Sequence, residues 1–176
     1  TLLGAVTVPT NIQGQPGALQ LSADTVGKIF AGTITSWNDK AIRADNAANP
    51  RTKGWTFPAQ AITRCVRNEG SGTSFAFTVA LAKASPTFRS KLGASQLPAW
   101  PAGQILRGQG NAGVAACVSQ TSGAIGYVDL ADAGAAGLNS RLASIGKVEK
   151  VKVKKRVNGK IKRVTVRKMI YVRPTV

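Results

Sequence analysis

Residues 60–85 read QAITRCVRNEGSGTSFAFTVALAKAS, and their order decides the class of fold. The apolar run from Gln60 to Val66 has the length and bounding signals of a strand. It passes through a glycine–serine knot, Arg67 to Gly72, straight into a helical run that ends near Ser85. Strand, tight turn and helix in that order are the unit from which α/β layers are built. The junction also carries chemistry. The first backbone amides of a helix have no partner inside it, and here they belong to Ser71, Gly72, Thr73 and Ser74. An anion placed there gains those N–H groups and the positive end of the helix dipole. Gly70 and Gly72 present no Cβ to hold it off, Ser71 and Thr73 add hydroxyls, and Arg67 offers a planar fork suited to a tetrahedral oxyanion. Taken alone, the same residues read more readily as a plain helix cap. The nucleotide P-loop pattern GxxxxGK[ST] is not met, because the knot has no Lys.

Outward from the knot the alternation continues. GAVTVP (4–9) and GAIGYV (123–128) are expected strands, and LSADTVGKIFAG (21–32) is an expected helix capped by Ser22, with Val26, Ile29 and Phe30 on one face and Gly32 ending it. Further helices are expected in SWNDKAIRADNAAN (36–49), stopped by Pro50, in NAGVAACVSQ (111–120) and, for a turn or two, in DLADAGAAG (129–137). The helix that follows the knot is expected to bury Phe75, Ala76, Val79 and Ala80. A second glycine motif, GQGNAG at 108–113, matches the dinucleotide pattern G-x-G-x-x-G, with Asp129 downstream. Its required context fails in the sequence. WPAGQILR (100–107) reads as a poor strand and the following helix as about two turns, so the expectation is a loop capped for that helix at Asn111.

The chain has 176 residues, 43% of them hydrophobic, enough for one globular core and an appendage. No run approaches the roughly 20 apolar residues of a membrane span. The opening TLLGAVTVPT has no basic start, long apolar region or initiator Met, which predicts a chain entered midway along a strand, as a fragment or processed protein. There is no His and there are two Cys, Cys65 and Cys117. That leaves no zinc ligand set, no Ser-His or Cys-His nucleophile pair and no visible catalytic residue, so neither an enzyme nor a cofactor is expected. The cysteines are either two buried small hydrophobes or a Cys65–Cys117 disulfide, the latter favoured if the chain is exported.

The charge is concentrated at one end. Residues 1–146 carry 12 Lys/Arg against 6 Asp/Glu, whereas 147–176 carry 12 against one. In that tail, Asn158-Gly159 between two runs rich in β-branched residues signals a two-residue hairpin. Such a turn sets Val153 opposite Val164 and Val151 opposite Val166, giving one side an apolar base. The other side opposes Lys150 to Arg167 and Lys154 to Arg163, a destabilising arrangement unless the charge is splayed into solvent or meets something anionic. The ribbon has no aromatic before Tyr171, so nucleic-acid binding through base stacking is not expected.

LSADTVGKIFAGTITSWNDKAI, ITRCVRNEGSGTSFAFTVALAKASP, GQGNAGVAACVSQTSGAIGYVDLADA and YVRPT occur in the order and near the spacing found in the phosphate-binding protein of bacterial phosphate ABC transporters, which the chain resembles over residues 5–146 and again at 170–175. The resemblance implies one lobe of a two-lobed periplasmic-binding-protein fold that closes by a hinge. Residues 1–9 would be a hinge-crossing strand, 10–146 the second lobe, 147–169 an inserted basic β-hairpin, and 170–176 a return strand toward the first lobe. The inserted hairpin departs from the family pattern. Trp37 is expected to anchor packing, and Trp55 and Trp100 to pack at the lobe surface or hinge side. The resemblance further implies a non-catalytic receptor that binds inorganic phosphate and delivers it to membrane permease subunits. It would be periplasmic or extracellular, with lipoprotein anchoring a further option. The family's phosphate contacts fall on Arg67, Ser71, Gly72 and Thr73. Glu69 stands where the family has Asp and would orient Arg67 or accept a phosphate proton. The first-lobe carboxylate that excludes sulfate in the family has no counterpart here. A competing reading keeps the pocket vestigial and makes the hairpin a module for polyanions or an anionic cell surface.

Overall fold

In the computed structural model, which describes residues 5–174, the chain alternates short strands and helices. The order is β1 (Val6–Thr7), β2 (Thr10–Asn11), β3 (Gln20–Ser22), α1 (Ala23–Phe30), α2 (Lys40–Asp45), β4 (Thr63–Arg67), α3 (Gly72–Ala84) and α4 (Pro86–Lys91). There follow β5 (Ile105–Gly108), α5 (Gly110–Gln120), β6 (Ala124–Gly126), β7 (Val128–Asp129), α6 (Leu130–Ala135), a 3-10 turn at Asn139–Arg141, β8 (Ser144–Val157) and β9 (Lys160–Val172). Of the segments expected over 1–9 and 170–176, residues 1–4 and 175–176 lie outside the described residues.

Local chemistry sets the helix starts. Ser22 caps α1 by accepting the Thr25 N–H, Asp39 caps α2 through the Ala41 N–H, and Ser71 caps α3 through the Ser74 N–H. Gly32, in the left-handed region at φ 72°, follows the end of α1. The central sheet has the order β2-β6-β4-β5, with β4 parallel to both β5 and β6 and β2 antiparallel at one edge. Parallel neighbours require crossovers, and α3 with α4 links β4 to β5 while α5 links β5 to β6. Both crossovers therefore send a helix away from the same end of the sheet.

Two clusters bury the apolar residues. Phe30, Trp37, Phe88 and Tyr127 are fully buried in the larger one, where the Trp37 indole N–H donates to the Gly123 carbonyl at 2.9 Å. The smaller lies under α5 and holds Val114, Val118, Val128, Leu138 and Leu142 with Cys65. Cys65 is joined to Cys117 by a disulfide with Cα atoms 6.0 Å apart, tying α5 to the middle strand.

Several expectations require correction. Helix α3 buries Ser74, Phe77, Thr78 and Leu81, and leaves Phe75 and Val79 46% and 43% exposed. The helix is apolar nearly all round, so hydropathy cannot choose its face. Tertiary hydrogen bonds do: Thr78 Oγ1 donates to the Ser95 carbonyl and accepts the Ser95 N–H. Trp100 lies in the core rather than at the surface, within 5.6 Å of the Phe30 ring centroid. The segment before GQGNAG does form a strand, β5, at the edge of the sheet where Pro101 and Gly103 precede it without interrupting a ladder. The helix after it runs 11 residues, about three turns. Helix α2 is shorter than its sequence stretch, since Asn46 turns its side chain back to Ile42 and across to Gln20.

The hairpin pairs Val153 with Val164, Val151 with Val166, Lys150 with Arg167 and Lys154 with Arg163, around Asn158 and Gly159 at φ 50° and 75°. Pairing continues at the base to Ile145 and Val172. There β8 joins the body as a parallel neighbour of β3 through Ser144–Gly146, and the Tyr171 hydroxyl donates to Asp45 at 3.3 Å. Gly146 is required at this seam, because a Cβ would come within 2.6 Å of the Tyr171 ring.

The disulfide closes a chain segment with a sequence separation of 52, for which loop entropy gives roughly 4 kcal/mol of stabilisation. Reduction, or the C65S/C117S double variant, is expected to lower the denaturation free energy by about 2–5 kcal/mol. Unchanged urea midpoints with and without reductant would remove the disulfide from the account of stability.

Candidate functional site

The two crossovers aim the N-termini of α3 and α5 at the end of β4, where Arg67 stands. Arg67 is half-buried, and its guanidinium is held on two sides. Its Nε and Nη2 donate to Glu69 Oε1, the former at 2.8 Å, and its Nη1 donates to Asn111 Oδ1 at 2.9 Å. Asn111 is fixed in turn, since its Nδ2 donates to Asp129 Oδ2 at 2.8 Å. Glu69 Oε1 also accepts the Gly110 N–H at 3.1 Å, so this carboxylate caps α5 while it pairs with Arg67. The Arg67 hydrogen bond holds the Glu69 carboxyl below the usual carboxylate range, burial opposes that, and the Gly110 amide adds to it. A guanidinium has five N–H donors, of which these three contacts leave two without a protein acceptor among the described residues.

Helix α3 offers the complementary group. Ser71 Oγ accepts the Ser74 N–H at 2.9 Å and donates to Ser74 Oγ, also at 2.9 Å. Ser74 Oγ in turn lies 2.7 Å from the Tyr127 hydroxyl, where either atom can donate. The amides of Gly72 and Thr73 have no protein acceptor among the described residues. A Cβ on Gly72 would meet nothing within 4 Å, so the ground in front of it is open. Tyr127 itself is fully buried, stacked on Phe77 with ring centroids 4.5 Å apart, and accepts the Arg67 backbone N–H at 3.2 Å. One hydroxyl thus fixes both the end of β4 and the first turn of α3.

The structure brings Arg67, Glu69, Ser71, Gly72 and Thr73 to one corner, and adds Asn111, Asp129 and Tyr127, which the sequence reading did not select for it. Asn111 is not the cap of α5. Gln109 holds the cap position without a side-chain bond, and Asn111 faces Arg67. Gly108 and Gly113 of GQGNAG have a packing role, since a Cβ on Gly108 would lie 2.4 Å from the Gly113 carbonyl carbon, while Gly110 takes a positive φ of 66°. The N-terminus that a dinucleotide phosphate would need is filled by Glu69. The signal for Tyr127 was its place in the apolar run 124–128, where it joins β6 to β7 with no solvent face, but nothing local aims its hydroxyl at residues 67 and 74.

The sequence model of the PBP superfamily domain matches residues 2–173. Phosphate-binding protein PstS of Xylella fastidiosa is 40% identical over 130 residues, covering 73% of this chain and 34% of that protein. PstS of Pasteurella multocida is 39% identical over 128 residues, covering 73% and 35%. The chain therefore spans about a third of the length of the curated relatives it matches. A solved high-affinity periplasmic phosphate-binding protein with bound phosphate superposes with a TM-score of 0.63 at 23% identity, over 82% of this chain and 37% of that one.

The buried phenols allow a direct check of this geometry. Burial pushes the Tyr127 hydroxyl up, and burial with the Asp45 carboxylate pushes Tyr171 up to about 12. A raised phenol pKa favours the fold below the ordinary value of about 10 and loses that contribution as pH climbs through the folded value. Ultraviolet titration is expected to show little tyrosinate at about pH 10 in the folded chain and ordinary ionisation of both tyrosines in urea, with stability falling between about pH 10 and 12. Normal titration of Tyr127 in the folded state would contradict its burial beside Ser74.

Proposed function

The chain belongs to the PBP superfamily, and we propose that it binds inorganic phosphate as part of an exported substrate-binding protein that delivers the ion to membrane permease subunits. One observation carries this reading: Arg67 keeps two guanidinium donors without a protein acceptor at the corner where, among the described residues, the Gly72 and Thr73 amides at the start of α3 are also unpartnered. A tetrahedral dianion accepts from both at once, neutralising the guanidinium and the helix dipole together. Ser71 supplies a hydroxyl. To donate outward it must give up its donation to Ser74 Oγ, with Tyr127 donating to Ser74 and Ser74 to Ser71, a reversal that rotation of the hydroxyl protons allows. Glu69 keeps Arg67 in place, with Oε1 committed to the guanidinium and to Gly110. Export is supported by the Cys65–Cys117 disulfide, which belongs in an oxidising compartment.

No metal, nucleophile or general base is required, because the work is recognition alone. The remaining ligand surface is left for a second lobe, as the resemblance implies, so this chain alone should bind on the order of millimolar rather than micromolar. Phosphate titration followed by amide NMR is expected to shift the Gly72 and Thr73 resonances. Arg67→Ala should weaken binding at least about tenfold, the cost of a charge-assisted hydrogen bond, and Tyr127→Phe less, through Ser71. Shifts that bypass residues 71–73, or that persist unchanged in Arg67→Ala, would overturn the assignment.

A further inference from the structure

The basic ribbon is not part of the anion cradle, and its construction sets a separate problem. Beyond Gly146 it has no ladder to the body among the described residues and stands as a two-stranded hairpin, an element marginally stable on its own. Three directly opposed pairs are like-charged: Lys150 with Arg167, Lys154 with Arg163, and Lys155 with Lys162. The one acid between residues 147 and 174, Glu149, pairs at the base with Lys147 at 2.9 Å. The distal end carries Lys154, Lys155, Arg156, Lys160, Lys162 and Arg163 with no carboxylate among them.

The ribbon is also apolar in an ordered way. Strand alternation puts Val151, Val153, Val164 and Val166 on one face, and sets Lys150, Lys154, Arg163 and Arg167 on the other. At the tip, Ile161, opposite Arg156 and on the face away from those valines, is 68% exposed among the cations. A soluble polyanion would gain nothing from that isoleucine. A lipid surface met tip-first gains from it, because Ile161 enters the acyl boundary while the stems of the tip lysines on both faces carry their charges up to the headgroups. The disulfide argues for a compartment that holds membrane faces rather than nucleic acid.

We propose that residues 150–167 are an arm that docks this protein on an anionic phospholipid surface. Binding to the lipid relieves the opposed like charges, so the ribbon is more ordered on the membrane than in water. The experiment is co-sedimentation of the full chain with vesicles of phosphatidylglycerol and phosphatidylcholine in equal parts, and with phosphatidylcholine alone. Binding is expected only to the anionic vesicles and to fall as sodium chloride is raised. The variant K154Q/K155Q/K160Q/K162Q, which changes only exposed side chains, should bind more than about a hundredfold less, at roughly fivefold per cation, with its thermal unfolding unchanged. Ile161→Ser should weaken vesicle binding severalfold and leave retention on a heparin column unaltered. Vesicle binding indifferent to the four glutamines would overturn the proposal. So would indifference to Ile161→Ser, which would mark a soluble anionic polysaccharide as the partner, or tighter retention of duplex DNA than of vesicles at the same salt, which would mark a nucleic acid. None of these outcomes depends on phosphate binding at Arg67.

Discussion

Three positive ends meet at one corner of the sheet, and the fold has to answer for that. Parallel pairing of β4 with β5 and β6 obliges each crossover to start a helix at the same edge, so α3 and α5 both point their N-termini there. Arg67, at the end of β4, adds a full charge to two helix dipoles. Glu69 resolves half of the conflict. A single carboxylate oxygen takes Arg67 and the first amide of α5, which leaves the start of α3 and two guanidinium N–H groups with no anion among the described residues. The oxyanion preference proposed for the site thus rests on topology and one missing acid rather than on any unusual residue. It also accounts for why Glu69 stays ionised: protonation would leave two positive ends facing each other.

The parts of this corner that could be read in the sequence are the parts made locally. The strand–knot–helix order, the Ser22 and Ser71 caps and the Asn158-Gly159 turn with its register depend on residues within a few positions of one another. The parts that could not be read depend on distance along the chain. Tyr127 reaches residue 67 across a separation of 60, and Asn111 reaches it across 44. The buried face of α3 is a similar case. Its apolar residues surround the helix, and the choice of Phe77 over Phe75 is made by Thr78 bonding to Ser95 and by Tyr127 stacking on Phe77, neither of which a helical period encodes. Edge strand β5 escaped the period-based reading because an edge tolerates neighbouring Pro and Gly that a central strand would not.

The resemblance supplied what local pattern could not, a proposed role for the knot. The physical reading of GSGTS alone favoured a helix cap over an anion site. The structure shows that the cap is real, since Ser71 holds the Ser74 amide, and that capping consumes only one of the free amides. Cap and cradle are therefore not alternatives: fixing the first turn by Ser71, Ser74 and Tyr127 is what holds the Gly72 and Thr73 amides in one orientation.

The two concentrations of positive charge act on different scales. From its anchorage at Gly146 the ribbon rises about 3.3 Å per residue, which puts the Asn158 turn on the order of 40 Å along the strand. Exposed charges are screened over about 8 Å at physiological salt, so the tip lysines act on what reaches the tip and not on the lobe at its base. The base is held by contacts that salt does not screen: the Ser144–Gly146 ladder to β3, the Tyr171 hydroxyl on Asp45, and the close seat of the Tyr171 ring over Gly146. Asp45 also accepts the Ser22 N–H, so the strand that carries the ribbon is tied to the residue that caps α1. A ribbon so rooted can change its partner or its charge at the tip without altering the corner where Arg67 and α3 meet.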